Sequence, residues 1–226
     1  MILSGMILSD MILIGMFDSP FVRRVAISMT LLGMPFEHRN WSVGKDFEKI
    51  RDYNPLGRVP VLVLDTGECL IESAMILDHL DEQAGARALL PAHGDARRRA
   101  LRIIALVTGA ADKGFQLVFE QVFRPADKHH APWTDRCRDQ MQGALRELDQ
   151  ICAAVADREW LVGDALSQAD ITLACYVTYL RDAIALDLAA TPALRARVER
   201  CETLPVFRQF YLPFDAPVPT RKAEPA

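Results

Sequence analysis

The chain has 226 residues, of which 50% are apolar and 8% aromatic, and a formal net charge of −4. That is enough apolar material for one large core or two small ones, which excludes a disordered tail protein, and the acidic balance leaves no basic footprint for nucleic acid. The five cysteines, at positions 69, 137, 152, 175 and 201, form no C-x-x-C pair and no metal-ligand spacing. They read as small apolar core residues in a reducing compartment, and so point to a cytoplasmic protein.

The first fifteen residues repeat as MILSG, MILSD and MILIG. The earliest basic residue is Arg23, and polar residues interrupt the apolar run, so the segment lacks the charge pattern of a secretory leader. No stretch is long and apolar enough to cross a bilayer. Residues 1–10 are read as an extension, and the third copy, Met11 to Met16, as the first strand. Ser19 then stands as N-cap of a helix over Pro20 to Leu32, with proline at the first helical position and Gly33 just past its end. A second strand is expected over Phe36 to Val43, and a short helix or turn over Phe47 to Tyr53. Val61 to Leu64 and Glu68 to Ile71, separated by Asp65-Thr66-Gly67, read as a hairpin. Ser73 to Ala84 reads as a helix stopped by Gly85. The order βαβαββα describes a small sheet with helices on its faces.

Beyond Gly85 the alternating pattern ends. Residues 91–94 read as a linker, and helical periodicity covers about 95–123, 133–156, 167–187, 191–201 and 204–212. The stretch between Pro125 and Pro132 reads as a loop, and the proline-rich tail over 213–226 as mobile. The domains expected are therefore 11–90, α/β, and 95–212, all-α.

The segment NPLGRVPVLVLDTGECLIESAMILDHL, from Asn54 to Leu80, carries the most chemistry. Pro60 cannot donate a ladder hydrogen bond, so it belongs at a strand start, an edge or a turn. With a cis Val59-Pro60 bond, Val59 would turn its backbone groups outward, where an extended peptide could pair with them like an added strand. Thirteen residues on, Ser73 sits at a helix start, where its hydroxyl and free N–H groups could hold a carboxylate, and Glu72 beside it could hold an ammonium. The ligand so described is small, extended and acidic.

Four pieces, SPFVRR at 19–24, NPLGRVPVL at 54–62, ESAMILDHL at 72–80 and LVGDALSQADITLA at 161–174, occur in an order and spacing that resembles the glutathione S-transferase superfamily. The resemblance spans roughly residues 11–212. It implies a thioredoxin-like domain that binds glutathione, an all-helical domain that lines a second-substrate pocket, and a two-fold homodimer. Carried over by position, Val59 would pair with the cysteinyl backbone of glutathione, Pro60 would be cis, and Glu72 and Ser73 would hold the γ-glutamyl end. Lys45 could reach the glycyl carboxylate, although a solvated surface lysine is the plainer reading.

Where redox members of this fold place a cysteine at the start of the first helix, this chain has Asp18-Ser19-Pro20. A serine forms no mixed disulfide, but it can donate a hydrogen bond to the glutathione sulfur at the positive end of a helix. A thiol with a pKa near 8.5 is only about 3% ionised at pH 7, and a hydrogen bond to a charged acceptor, worth roughly 1.5–3 kcal/mol, lowers it by about one to two units. Ser19 is thus the catalytic candidate, set against the plainer role of a cap. Phe115, Phe119 and Phe123 recur four apart, and Tyr176 and Tyr179 lie on another helix. Such stripes usually face a core, but Phe115, Phe119 and Tyr176 are candidates to line the second-substrate pocket and favour apolar electrophiles. Ser167 and Asp170 form a capping box, which makes Asp170 structural. No metal site is expected; the adjacent His129 and His130 do not make one. The function expected is a glutathione transferase acting on a small apolar electrophile. The rivals are a glutathione-binding regulatory or stress protein with little turnover, and a glutathione-dependent isomerase or dehalogenase.

Overall fold

The computed structural model describes residues 11–216; the expectations for residues 1–10 and for the end of the tail lie outside them. Four short strands, β1 (Ile12–Ile14), β2 (Glu37–Arg39), β3 (Val61–Val63) and β4 (Cys69–Ile71), form one mixed sheet in the order β2-β1-β3-β4. β1 runs parallel to β2, with Leu13 opposite His38, and antiparallel to β3, with Leu13 opposite Leu62. Parallel neighbours need a crossover, which α1 (Pro20–Leu32) supplies. Antiparallel neighbours need only a turn, and the tight turn between β3 and β4 closes with Leu64 N–H donating to Glu68 O. The second strand is shorter than the expected Phe36 to Val43: the backbone turns after Arg39, where Trp41 N–H donates to Arg39 O and Asp46 N–H to Ser42 O. α2 (Phe47–Arg51) and α3 (Ser73–Ala84) complete this layer.

The rest is helical: α4 (Gly94–Phe123), α5 (Ala131–Ala154), α6 (Gln168–Ile184), α7 (Pro192–Glu202) and α8 (Pro205–Gln209). The fold is thus a thioredoxin-like sheet layer followed by an all-helical layer. Among the described residues no helix is long and apolar enough to cross a membrane.

One apolar cluster runs without a break from Leu13 in the sheet, through Val22, Val25 and Met29 of α1 and Ile76 and Leu80 of α3, to Val107, Leu148, Leu173 and Phe207 of the helical layer. Where α1 meets the helices, several buried polar groups are paired, as the cost of leaving them unpaired demands, while Arg23 Nε, Gln168 Oε1 and Tyr176 Oη have no partner at hydrogen-bond distance among the described residues. Arg23 donates to both carboxylate oxygens of Glu202 at 2.8 and 2.6 Å and to Phe207 O at 2.9 Å. Gln168 Nε2 donates to Ser28 Oγ at 2.6 Å. The capping box at the start of α6 is formed: Asp170 accepts from Leu161 N–H, from Ser167 N–H and from Ser167 Oγ at 2.9, 3.2 and 2.8 Å. All five cysteines are free thiols and four are buried. Burial pushes Cys152 and Cys175 up to about 12, which makes them inert.

Candidate functional site

α1 begins where β1 ends because Gly15 permits a close approach. At its φ of 133°, a Cβ would lie 2.5 Å from the Val22 side chain and 2.8 Å from that of Val59. This packs the start of α1 against the loop carrying Val59-Pro60, whose peptide bond is cis. Ser19 sits at the N-cap with extended backbone, followed by Pro20, and its Oγ accepts from Val22 N–H at 3.5 Å. A bond at that distance is a weak one, and it uses a lone pair, so the hydroxyl proton stays free to donate elsewhere.

Ser19 opens onto a cleft of about 580 Å³ between the two layers. One side is Met16, Asp18 and Ser19, the loop residues Trp41, Ser42 and Val43, and Gly57, Arg58 and Val59. The other is Phe115, Phe119, Phe123 and Tyr179, with Phe214 and Asp215 of the tail. The rings form a continuous aromatic wall. Phe21 stacks on Phe115 at 5.2 Å, Phe115 meets Tyr179 at 4.9 Å, and Phe214 stands edge-on to Tyr179 at 5.4 Å. Phe119 and Phe123 do not face the core: they are 49% and 46% exposed, into the cleft. Four of the named candidates therefore share this cleft: Ser19, Val59, Phe115 and Phe119.

Tyr176 does not line it. It is fully buried behind Phe21, edge-to-face at 5.1 Å, because α6 turns that face inward, and Tyr179 one turn on is the tyrosine at the cleft. Lys45 is exposed and likewise absent from the lining, where Trp41, Ser42 and Val43 stand instead. Arg58 was legible in the quoted motif as a cation one residue before Val59. Asp18, Trp41 and Phe214 carried no periodic signal, since each comes from a loop or turn.

Glu72 and Ser73 open α3. Glu72 has a left-handed backbone, φ 64° and ψ 120°, unusual for a residue with a side chain. It turns the carboxylate out to solvent, 3.3 Å from Arg58. Ser73 is buried, and its Oγ accepts from Arg24 Nε and Nη2. The first-turn N–H groups of α3 have no acceptor within the helix and carry its positive end.

Electrostatically the cleft is acidic. Burial raises the Asp18 carboxyl above its ordinary range and the Asp215 charge adds to this, although backbone donors, Asp215 N–H first, oppose it. Arg58 and Asp112 are engaged with Glu72 and Lys113, whereas Asp18 and Asp215 have no ion-pair partner among the described residues. Also among the described residues, no group of three or more His, Cys, Asp or Glu could hold a metal.

Residues 13–88 match the family model described as the glutathione S-transferase N-terminal domain, and residues 131–208 match that of the C-terminal domain. The chain is 35% identical over 168 residues to the GST-like protein YibF of Escherichia coli, covering 74% of this chain and 81% of that one. It is 29% identical to a maleylpyruvate isomerase of Ralstonia, over 82% of this chain and 89% of the other. Among solved structures, a glutathione S-transferase from Methylobacterium radiotolerans in complex with glutathione sulfonate superposes with a TM-score of 0.80 at 30% identity, covering 96% and 99% of the two chains.

Proposed function

Because the chain belongs to the glutathione S-transferase family, we propose that it is a glutathione transferase whose Ser19 activates the thiol for attack on an apolar electrophile. The observation that carries this reading is the position of Ser19, at the N-cap of α1 in the cleft, with the cis Val59-Pro60 loop on one side and the aromatic wall on the other. In this reading glutathione lies along Val59, with its γ-glutamyl end at Glu72 and Ser73 and its sulfur near Ser19. The Ser19 hydroxyl and the positive end of α1 stabilise the thiolate. Residues 11–90 act as the glutathione-binding domain and 95–212 as the domain that shapes the electrophile pocket, joined by the 91–94 linker. The unit is a cytoplasmic homodimer.

The similarity to the maleylpyruvate isomerase favours a second reading, in which glutathione adds to a substrate and leaves again as a cofactor. The charge of the cleft speaks against it. A maleyl diacid would meet Asp18, Asp112 and Asp215 with Arg58 the one cation among the described lining residues, and like charges brought together destabilise a complex. An uncharged aromatic electrophile meets no such repulsion and gains the ring contacts.

Ser19→Ala tests the proposal. Losing roughly 1.5–3 kcal/mol of thiolate stabilisation should lower turnover of a chloronitrobenzene by about one to two orders of magnitude, with a much smaller change in glutathione affinity. The ultraviolet absorbance of bound thiolate, titrated against pH, should shift upward in the variant. An unchanged titration makes Ser19 a cap alone, and turnover of a maleyl diacid above that of the aromatic electrophile favours the isomerase.

A further inference from the structure

The base of α3 holds a buried cation that closes no ion pair among the described residues, the Glu72 carboxylate reaching the same spot only at longer range. Arg24 is 4% exposed, yet its three polar contacts are all to hydroxyls. Nε and Nη2 donate to Ser73 Oγ at 3.1 and 2.6 Å, and Nη1 donates to Thr172 Oγ1 at 3.4 Å. Its guanidinium lies 5.3 Å from the Tyr176 ring centre, a favourable but weak partner for a cation. The neighbouring Arg23, by contrast, closes a two-pronged pair with Glu202. A buried cation without a carboxylate is costly, and such groups are ordinarily paired. The second irregularity lies beside it: Tyr176 Oη is fully buried and has no partner at hydrogen-bond distance among the described residues, the Ser73 hydroxyl being near enough only for a weaker pull. Burial pushes that phenol up to about 12, while the Arg24 charge and the nearby Ser73 hydroxyl pull the other way.

The geometry at Ser73 says what this arrangement does. A serine oxygen has two acceptor sites and one proton. Arg24 takes both acceptor sites with a rigid fork. The hydroxyl proton is then left to be donated, to Tyr176 Oη beside it or to a group at the helix start, and the guanidinium behind it makes the O–H more acidic and the helix terminus more positive. We propose that Arg24 is a positioning residue for an anionic ligand group: acting through Ser73, it orients the serine hydroxyl toward a carboxylate at the first turn of α3 and supplies the charge that carboxylate balances. The proposal rests on the γ-glutamyl placement given above, and names a residue outside the ligand contacts that makes the site selective for an amino-acid carboxylate.

The test compares two ligands by calorimetry: glutathione, and 4-aminobutyryl-cysteinyl-glycine, which keeps the amine, amides and thiol but lacks the γ-glutamyl carboxylate. The native chain should prefer glutathione. Arg24→Met should weaken glutathione by about 10- to 100-fold, the range of one hydrogen bond to a charged group, and the analogue by less than about 3-fold. Ser73→Ala should show the same selectivity, and the double variant should be no worse than either single one, as expected of two residues acting as a unit. Arg24→Lys keeps a buried charge but gives up the fork. It serves where the methionine variant does not fold, and should lose only part of the preference. Loss of the preference in Ser73→Ala but not in the Arg24 variants overturns this proposal alone. A preference untouched by Ser73→Ala overturns the γ-glutamyl placement and this proposal with it. Equal weakening of both ligands by Arg24→Met overturns the positioning role in favour of a merely structural one.

Discussion

Cys69 is the one half-buried thiol of the five, at the start of β4, while Cys137, Cys152, Cys175 and Cys201 are buried. A thiol reagent should therefore label one cysteine of the native protein quickly and all five after denaturation, as counted by mass spectrometry. Rapid labelling of a second site would mean that the helical layer opens on the same timescale. At this scale the sequence was only partly legible. Ser19, Val59-Pro60 and Glu72-Ser73 are punctuation: a cap, an X-Pro bond and a helix start, each readable from local chemistry. Trp41, Asp18 and Phe214 reach the cleft through loops whose path depends on tertiary packing, and no spacing rule announces them. Tyr176 and Tyr179 show the limit within a helix. Three residues apart, they share a stripe, and only the placement of Phe21 decides which is walled off and which is open.

Helix ends decide the local stability of this fold. Asp170 satisfies the N–H groups of Leu161 and Ser167 and the Ser167 hydroxyl at the start of α6. Asp170→Ala leaves those groups unpaired inside the protein and should cost about 1–3 kcal/mol in urea unfolding, with glutathione affinity of the folded fraction unchanged. Native stability with lost activity would make it a site residue instead. Burial is the larger influence on this carboxyl and raises its pKa above 3.8, against the bonds from Leu161 and Ser167. The folded chain then binds that proton more tightly than the unfolded chain. Asp170's share of the stability is thus full below the unfolded value of about 3.9 and declines as pH rises through the raised folded one. Asp170→Asn should flatten that part of the profile. Element boundaries were legible wherever proline, glycine or a capping residue marked them, as at Pro20, Gly33 and Gly85. The second strand ends short of its expected span because, although Trp41 and Val43 have strand-like side chains, the turn at 42–46, set by Asp46 accepting from Ser42 N–H, overrides that preference.

Across the whole molecule the sheet and helical layers share one core and are clasped at α1. Arg23 reaches Glu202 and Phe207 O, and Thr178 Oγ1 donates to Glu202 at 2.6 Å. Arg23→Ala leaves the partly buried Glu202 carboxylate with only the Thr178 hydroxyl and should cost at most about 3–5 kcal/mol, whereas Arg23→Met paired with Glu202→Gln should recover a large part. Unfolding in urea followed by tryptophan fluorescence and by circular dichroism should give coincident transitions, since the apolar cluster has no break at which one layer could melt alone. Two separated transitions would show that the clasp is weaker than its geometry.

The cleft draws its two walls from distant parts of the chain, the Ser19 side from residues before 60 and most of the aromatic side from residues 115–123, 179 and 214–215. That separation lets the second wall be rewritten while the first is left alone. The phenylalanines at 119 and 123 bear on little but the open cleft, so their replacement carries a small folding penalty. A selection that varies only Phe119, Phe123, Tyr179 and Phe214 therefore reshapes one wall of the cleft while the Ser19 side stays fixed, and a lineage diverging in nature could take the same route.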